Sequence, residues 1–370
     1  MARRHLIALL VIIGAGLTYG YVHLSSAPIQ TTPVSWESPP SSGLTGTFSP
    51  NGMLTKAQLI KLGDHEGPEA IAFTQDGRLI TGTSDGHILR IDPRTGDVES
   101  MGNTGGRPLG LTMDSKGNLY IADAIKGLLL RTPDGSFKPL CQTVDGLRVG
   151  FADDVTVSRA GMLYFTDAST RFSPAEYGGP YEASRLEIVE HEGTGRVIEC
   201  DPITGESRVL AKGLVLANGI TLTHDERALL IVETGAYAVR RHWLSGPRAG
   251  RTLQFVEGLP GFPDNISRGR DGRYWIGLVS PRNMLLDALS ESPGARAVIQ
   301  RLPRWMQPDA KAFGHIVAID GSGEVVASLQ DPTGRVGFTV GVHETREQLY
   351  ISRLRGDAIA VVPNGVQSAK

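Results

Sequence analysis

Residues 153–169 read DDVTVSRAGMLYFTDAS: a short strand pattern, a turn at Gly161, then a second strand pattern. Val155 and Val157 alternate with polar neighbours, and the apolar run LYF follows the turn, as two strands of a hairpin require. Eight residues separate Asp153 from Gly161. The same step leads from Glu69 to Gly77, Leu109 to Gly117, Asn218 to Glu226, Asp264 to Gly272 and Thr339 to Glu347. Behind these turns come RLITG, NLYIAD, RALLIVET, RYWIGL and QLYIS. A repeat of about 40 residues built from several short strands predicts a β-propeller, and six repeats predict six blades. The fold class expected is therefore all-β, a six-bladed β-propeller.

The rest of the chain fits this frame. Residues 49–364 form the predicted propeller, with 365–370 as a tail. The 46 Gly and 22 Pro suit a fold rich in tight turns, and the segment NGMLTKAQLIKL after Pro50 is the candidate strand that closes the ring by joining the last blade. The net charge of −2 and the lack of a basic stripe give no reason to expect nucleic acid. Upstream, Arg3 and Arg4 precede the apolar residues 6–22, LIALLVIIGAGLTYGYV. At about 1.5 Å per residue this run spans about 25 Å, enough for a short membrane helix. Residues 1–24 are thus expected to be an uncleaved signal anchor with the propeller on the exported, periplasmic side. Cleavage and secretion are the alternative. Residues 25–48 are rich in Pro, Ser and Thr and read as a spacer.

Inner strands of a propeller start at one end of the channel, so the six step-starting positions form a ring. Glu69, Asp153, Asn218 and Asp264 bring carboxylate or amide oxygen to it. Singly each is an ordinary turn residue. Together they are the mixed anionic and neutral oxygen set of a hard cation, and Ca²⁺ is the expected cofactor, since the ring lacks the His or Cys that Zn²⁺ prefers. Long insertions at residues 169–195 and 280–314 fall between the second and third strands of blades three and five. Both should rise over the ring as a cover, the second apolar enough for a hydrophobic ligand or a membrane surface.

The motifs GPEAIAF, GRPLGL, DDVTV with LYFTDAS, ANGITL, PDNIS, and VHE with LYIS resemble those of strictosidine-synthase-like proteins of the adipocyte plasma membrane-associated group, within the gluconolactonase–paraoxonase-like propellers. The resemblance covers about residues 60–362. It implies a channel calcium on Glu69, Asn218 and Asp264, with Asp153 where many relatives carry Asn, and with Asn265 reaching the ion in the paraoxonase-like pattern. Two departures matter. Leu109 stands where paraoxonase-like enzymes place a histidine, and Val340 stands where strictosidine synthases place a glutamate, so amine–aldehyde condensation is not expected. A general base must then be Asp153 or Asp264, or His315, which opens the strand behind the second insertion; His343 is expected to be structural. No G-x-S-x-G elbow supports a serine nucleophile.

The function expected is hydrolysis of a small-molecule ester or lactone, including apolar ones; a non-catalytic, calcium-stiffened binding propeller is the alternative. Cys141 and Cys200 fall near the ends of the expected outer strands of blades two and three, where the Cα separation of about 4.4–6.8 Å needed for a bridge is not assured, so pairing is not expected. The sequon Asn265-Ile266-Ser267 lies in the channel register, which argues against a glycan.

Overall fold

The computed structural model describes residues 31–366, together with His5, Gly14, Gly16, Thr18, Tyr19, Gly20 and Val22. Two compact units emerge. The larger comprises Pro39–Ile188, Glu192–Arg282 and Ala310–Lys370, and the smaller Met1–Ser38, Val189–His191 and Asn283–Asp309.

The larger unit holds six four-stranded antiparallel sheets. In blade three the order is Ala152–Val157, Leu163–Asp167, Gly195–Cys200 and Ser207–Leu214, each strand pairing with the next. Blades one, two, four and five repeat this order from inner strands Ala72–Phe73, Pro108–Met113, Ala217–Leu222 and Gly261–Arg268. Blade six is assembled from both ends of the propeller. Thr339–Glu344, Gln348–Arg353 and Ala358–Pro363 are completed by Gln58–Lys61, with Gln58 opposite Val361 and Lys61 opposite Ala358. The closing strand is the one expected. It leaves no open sheet edge between the first and last blades.

The turns after the eight-residue step explain their composition. Gly77, Gly117, Gly161 and Gly272 all have φ between 80° and 89°, and Glu226 takes the same left-handed region at 56°. Apolar layers between neighbouring blades hold the ring together. Leu79, Leu89 and Ile91 of blade one meet Tyr350, Ile359 and Val361 of blade six, and Phe165 and Ile198 of blade three meet Tyr120 and Leu128 of blade two. The aromatic content is low, and β-branched and leucine side chains fill these layers instead.

The Cys141–Cys200 disulfide forms, with a Cα separation of 6.3 Å, against the sequence expectation. Cys200 ends the third strand of blade three, not an outer strand. Cys141 follows the outer strand Phe137–Pro139 of blade two with φ of 43°, a turn that aims its side chain at the neighbouring blade.

Both insertions lie between second and third strands, as expected. The first contains the helix Pro180–Glu190, anchored by the buried Glu187, whose carboxylate accepts hydrogen bonds from Ser169 Oγ (2.7 Å), Thr194 Oγ1 (2.7 Å) and Thr194 N (2.9 Å). The second folds into the helices Met284–Ala288 and Pro293–Arg301, which belong to the smaller unit. There the buried Arg296 donates to the carbonyls of Val189 (2.7 Å), Ser290 (3.2 Å) and Val34. Trp36 stacks on His191 with ring centroids 3.9 Å apart. The stretch read as a spacer is therefore partly ordered within this unit. Met284 and Trp305 are exposed on it. Among the described residues no helix is long and apolar enough to cross a membrane. The expected anchor, residues 6–22, falls mostly outside them.

Candidate metal centre in the channel

The inner strands carry a shared irregularity at the predicted ring. In blades three, four and five the ladder slips between Ala152 and Val155, between Ala217 and Ile220, and between Pro263 and Ile266. Each slip is a bulge of one extra residue. It spans Asp153 and Asp154 in blade three, Asn218 and Gly219 in blade four, and Asp264 and Asn265 in blade five. Neighbouring residues on a regular strand face opposite sides; a bulge suspends that rule. It lets both Asp264 and Asn265 point an oxygen inward. The bulged segments also approach closely. A Cβ added to Gly219 would lie 2.5 Å from Ile266 N, and one added to Gly110 would lie 2.4 Å from Asp154 Cα. Glycine at these two sites lets the oxygen-bearing turns close on the axis.

Asp153, Asn218, Asp264 and Asn265 are all buried, and Oδ1 of each has no hydrogen-bond partner. Four such oxygens on the bulges of three consecutive inner strands are exceptional, because a buried polar atom without a partner costs about 1–3 kcal/mol. The carboxylates also sense one another. Burial, then the charges of Glu69 and Asp264, hold Asp153 well above the usual carboxylate range. Burial, then Glu69 and Asp154, do the same to Asp264, while its hydrogen bond with the Asn218 side chain and the Arg107 charge oppose the shift. Asn265 Nδ2 lies 3.4 Å from the Glu69 carbonyl, which also accepts from Ser352 Oγ at 2.6 Å, so blade five reaches blade one across the axis. A buried cluster of this kind favours protons or a cation. Its donors, two carboxylates and two amide oxygens beside Glu69, fit Ca²⁺.

Two neighbours were not singled out from sequence. Arg107, inside the GRPLGL motif, is buried and donates Nη2 to Glu69 Oε2 (2.7 Å) and Nη1 to Gly67 O (3.0 Å). It opposes the burial that raises the Glu69 pKa. Asp154 accepts from Val155 N (2.8 Å) and Ile220 N (2.9 Å), tying blade three to blade four. Burial still lifts its pKa to about 7 against those two bonds. Arginine and a second aspartate carried no periodic signal of their own; only the register of the blades places them.

The remaining candidates go elsewhere. His315, a candidate base, pairs its Nε2 with Ser328 Oγ (3.0 Å) on the outer strand, and its ring meets Phe48 and Phe313 edge-on. Burial lowers its pKa to about 4. His343 packs on Phe73, centroids 4.3 Å apart, and burial likewise lowers it to about 4. At the ring positions of blades six and two, Thr339 Oγ1 bonds the His315 and Leu278 carbonyls, and Leu109 is apolar and buried. Over the channel mouth, Tyr181 of the first insertion sits 4.6 Å from the guanidinium carbon of Arg355, which also covers Phe338 at 4.9 Å. The insertion of blade three thus extends to the rim of blade six.

Two family models match: strictosidine synthase over residues 153–247, and the N-terminal part of strictosidine-synthase-like proteins over residues 46–91. The adipocyte plasma membrane-associated protein of Homo sapiens is 32% identical over 361 residues, 91% of this chain and 84% of that one. The chain belongs to the adipocyte plasma membrane-associated protein family. Its plant relatives in this strictosidine-synthase-like family include strictosidine synthase-like 13 of Arabidopsis thaliana, 32% identical over 77% of this chain and 79% of the relative. Among solved structures, a gluconolactonase from Xanthomonas campestris superposes with a TM-score of 0.60 at 16% identity, covering 90% of this chain and 98% of its own. The calcium-binding protein regucalcin from Agrobacterium tumefaciens gives 0.57 at 13%, covering 85% and 95%. At such identities the likeness is one of fold: the chain shares the propeller architecture.

Proposed function

We propose that this family member is an exported, calcium-dependent hydrolase of esters or lactones, with its site in the propeller channel. The supporting observation is that the inner-strand bulges of three consecutive blades each carry buried, partnerless oxygens, four in all. Asp153, Asn218, Asp264 and Asn265, with Glu69, are the residues that would hold the ion. When bound, Ca²⁺ supplies a Lewis acid for a carbonyl oxygen and makes a coordinated water more acidic. The chain's own residues supply the rest. Arg107 keeps a positive charge on Glu69. Asp153 and Asp264 are the carboxylates placed to take up the proton. The Tyr181–Arg355 contact narrows the mouth and limits bulk water.

The test uses the full chain with EDTA, then added Ca²⁺, against phenyl acetate and a panel of γ- and δ-lactones. Turnover that disappears and returns with the ion is expected. Turnover indifferent to both EDTA and Asp264→Asn would overturn the reading. A second reading, a calcium-stiffened binding propeller without turnover, is favoured by the apolar Leu109 at a ring position, by Val340 next to the ring residue Thr339, and by the Glu69–Arg107 pair. A calcium-dependent rise in melting temperature with no hydrolysis of any panel member would select it.

Placement outside the cytosol is supported by the Cys141–Cys200 disulfide, a bond at home in oxidising compartments. The human relative carries membrane association in its name. In this chain residues 6–22 would supply the attachment, with exposed Met284 and Trp305 as a surface contact.

A further inference from the structure

We propose a second metal site, separate from the channel, at His65, Asp85 and His87, which takes a divalent first-row transition ion of the Zn²⁺ type. The three residues come from different parts of blade one. His65 lies in the segment running from the closing strand into Glu69. Asp85 is at the tip of the turn joining Leu79–Gly82 to His87–Ile91, and His87 opens the latter strand. One ligand atom from each falls within 4.8 Å of those of the other two. The backbone bond from Ser84 N to Glu66 O (2.8 Å) holds the two segments together.

The geometry is that of a ligand triad. His65 Nδ1 is 2.8 Å and His87 Nδ1 is 3.1 Å from the same oxygen, Asp85 Oδ2. With metal–ligand bonds of about 2.0–2.2 Å, edges between ligand atoms run from about 2.9 Å in an octahedral site to about 3.4 Å in a tetrahedral one. The rings are tilted by 54° with centroids 4.7 Å apart, so both nitrogens converge on the carboxylate without stacking. The other carboxylate oxygen is fixed by Thr83 Oγ1 at 2.5 Å, the kind of support that orients a ligating carboxylate.

A second observation concerns the proton inventory. Asn103 Oδ1 accepts from Gly105 N (2.7 Å) and its Nδ2 donates to Asp85 O (3.0 Å), which sets the orientation of the amide. The same Nδ2 faces His87 Nδ1 at 3.1 Å. An N–H there calls for an unprotonated Nδ1, whose single lone pair accepts from Asn103 in this structure. A cation would take that lone pair in place of the hydrogen bond and join it to the Asp85 carboxylate oxygen 3.1 Å away. Two imidazoles and one carboxylate are the borderline donor set that selects transition ions over Ca²⁺. All three side chains are partly exposed, so the ion has an entry path and keeps open positions for water. Because His65 stands four residues before Glu69 on one segment, metal capture would brace the loop that delivers a channel carboxylate. The site does not depend on the hydrolase reading.

The experiment titrates full-length, tag-free protein with Zn²⁺ by calorimetry in excess Ca²⁺, and repeats it with Co²⁺, following its visible absorption bands. The expected result is one Zn²⁺ per chain and a Co²⁺ spectrum displaced by Zn²⁺. Affinity should fall at least tenfold in each of His65→Ala, Asp85→Ala and His87→Gln, and remain in Asp264→Asn. These surface substitutions leave the blade layers untouched, and unchanged circular dichroism confirms each fold. No stoichiometric Zn²⁺ binding, binding unaffected by the three substitutions, or binding lost in Asp264→Asn would each overturn the proposal.

Discussion

The propeller contains two sets of buried carboxylates, and they behave in opposite ways. The outer set stands at the ends of second strands. Asp123, Asp167 and Glu233 occupy equivalent places in blades two, three and four, and every one is saturated. Asp123 accepts from the backbone N–H groups of Arg107, Ile125 and Lys126; Asp167 from Phe151 N and the Arg196 guanidinium; Glu233 from Val215 N and Arg240. The inner set, Asp153 and Asp264, sits on the bulges of first strands and keeps oxygens with no partner. Residue type, burial and repeat are shared; only the supply of donors differs. Burial of an acid thus marks no function by itself. A saturated acid fastens a loop, whereas one left short of donors is kept for something that arrives from outside.

That contrast can be broken experimentally. The largest effect belongs to the outer set: Asp167→Ala strands the buried Arg196 without its carboxylate, and chemical denaturation should show a loss of about 3–5 kcal/mol. Asp264→Asn should do the reverse in metal-free protein, holding or raising the melting temperature because it removes a buried like charge. It should also abolish the calcium response, which for wild type at a hundredfold excess over Kd is about 2.7 kcal/mol. A melting temperature that falls in EDTA as steeply for Asp264→Asn as for Asp167→Ala would erase the distinction between the sets.

A third effect is pH-dependent. Asp153 and Asp264 have folded pKa values raised above the unfolded ones, so their contribution to metal-free stability is complete below the ordinary carboxylate range. It is lost as pH rises through the folded values, at up to about 1.4 kcal/mol per pH unit for each group. Melting in EDTA should therefore decline from acid towards neutral pH. Calcium should flatten the slope, and its affinity should rise with pH as it displaces protons. The smallest effect is that of His315→Gln. Hydrolysis should stay within about threefold of wild type, because the imidazole serves Ser328 and the Phe48–Phe313 contact, not the channel. A loss of two orders of magnitude would return His315 to the reaction.

The eight-residue step was legible because in five of the six blades the turn it ends on takes a left-handed residue, which glycine announces in four of them. The same step placed Asp153, Asn218 and Asp264 on one ring. Asn265 came from the family resemblance, and a regular strand would have faced it outward; the bulge reverses that. Arg107 is invisible locally, since its partner Glu69 lies 38 residues away. A strand-opening histidine such as His315 behind an insertion says nothing in sequence about its partners, which here are Ser328, Phe48 and Phe313. The disulfide was missed because a single left-handed residue, Cys141, redirects a side chain between blades. His65, Asp85 and His87 are joined only by the crossing of a turn and a connecting segment.

The strand Gln58–Lys61 has a consequence in time. It is among the first parts of the propeller to be synthesised, yet its partner Ala358–Pro363 is the last. Blades one to five have their own strands in sequence and can form locally as they emerge. The final seam must wait for the whole chain, and until then Gln58–Lys61 is an unpaired strand open to a neighbour's edge. Assembly of this molecule therefore ends with a contact spanning some 300 residues, a long-range pairing whose loop-closure cost must be met before the ring is whole.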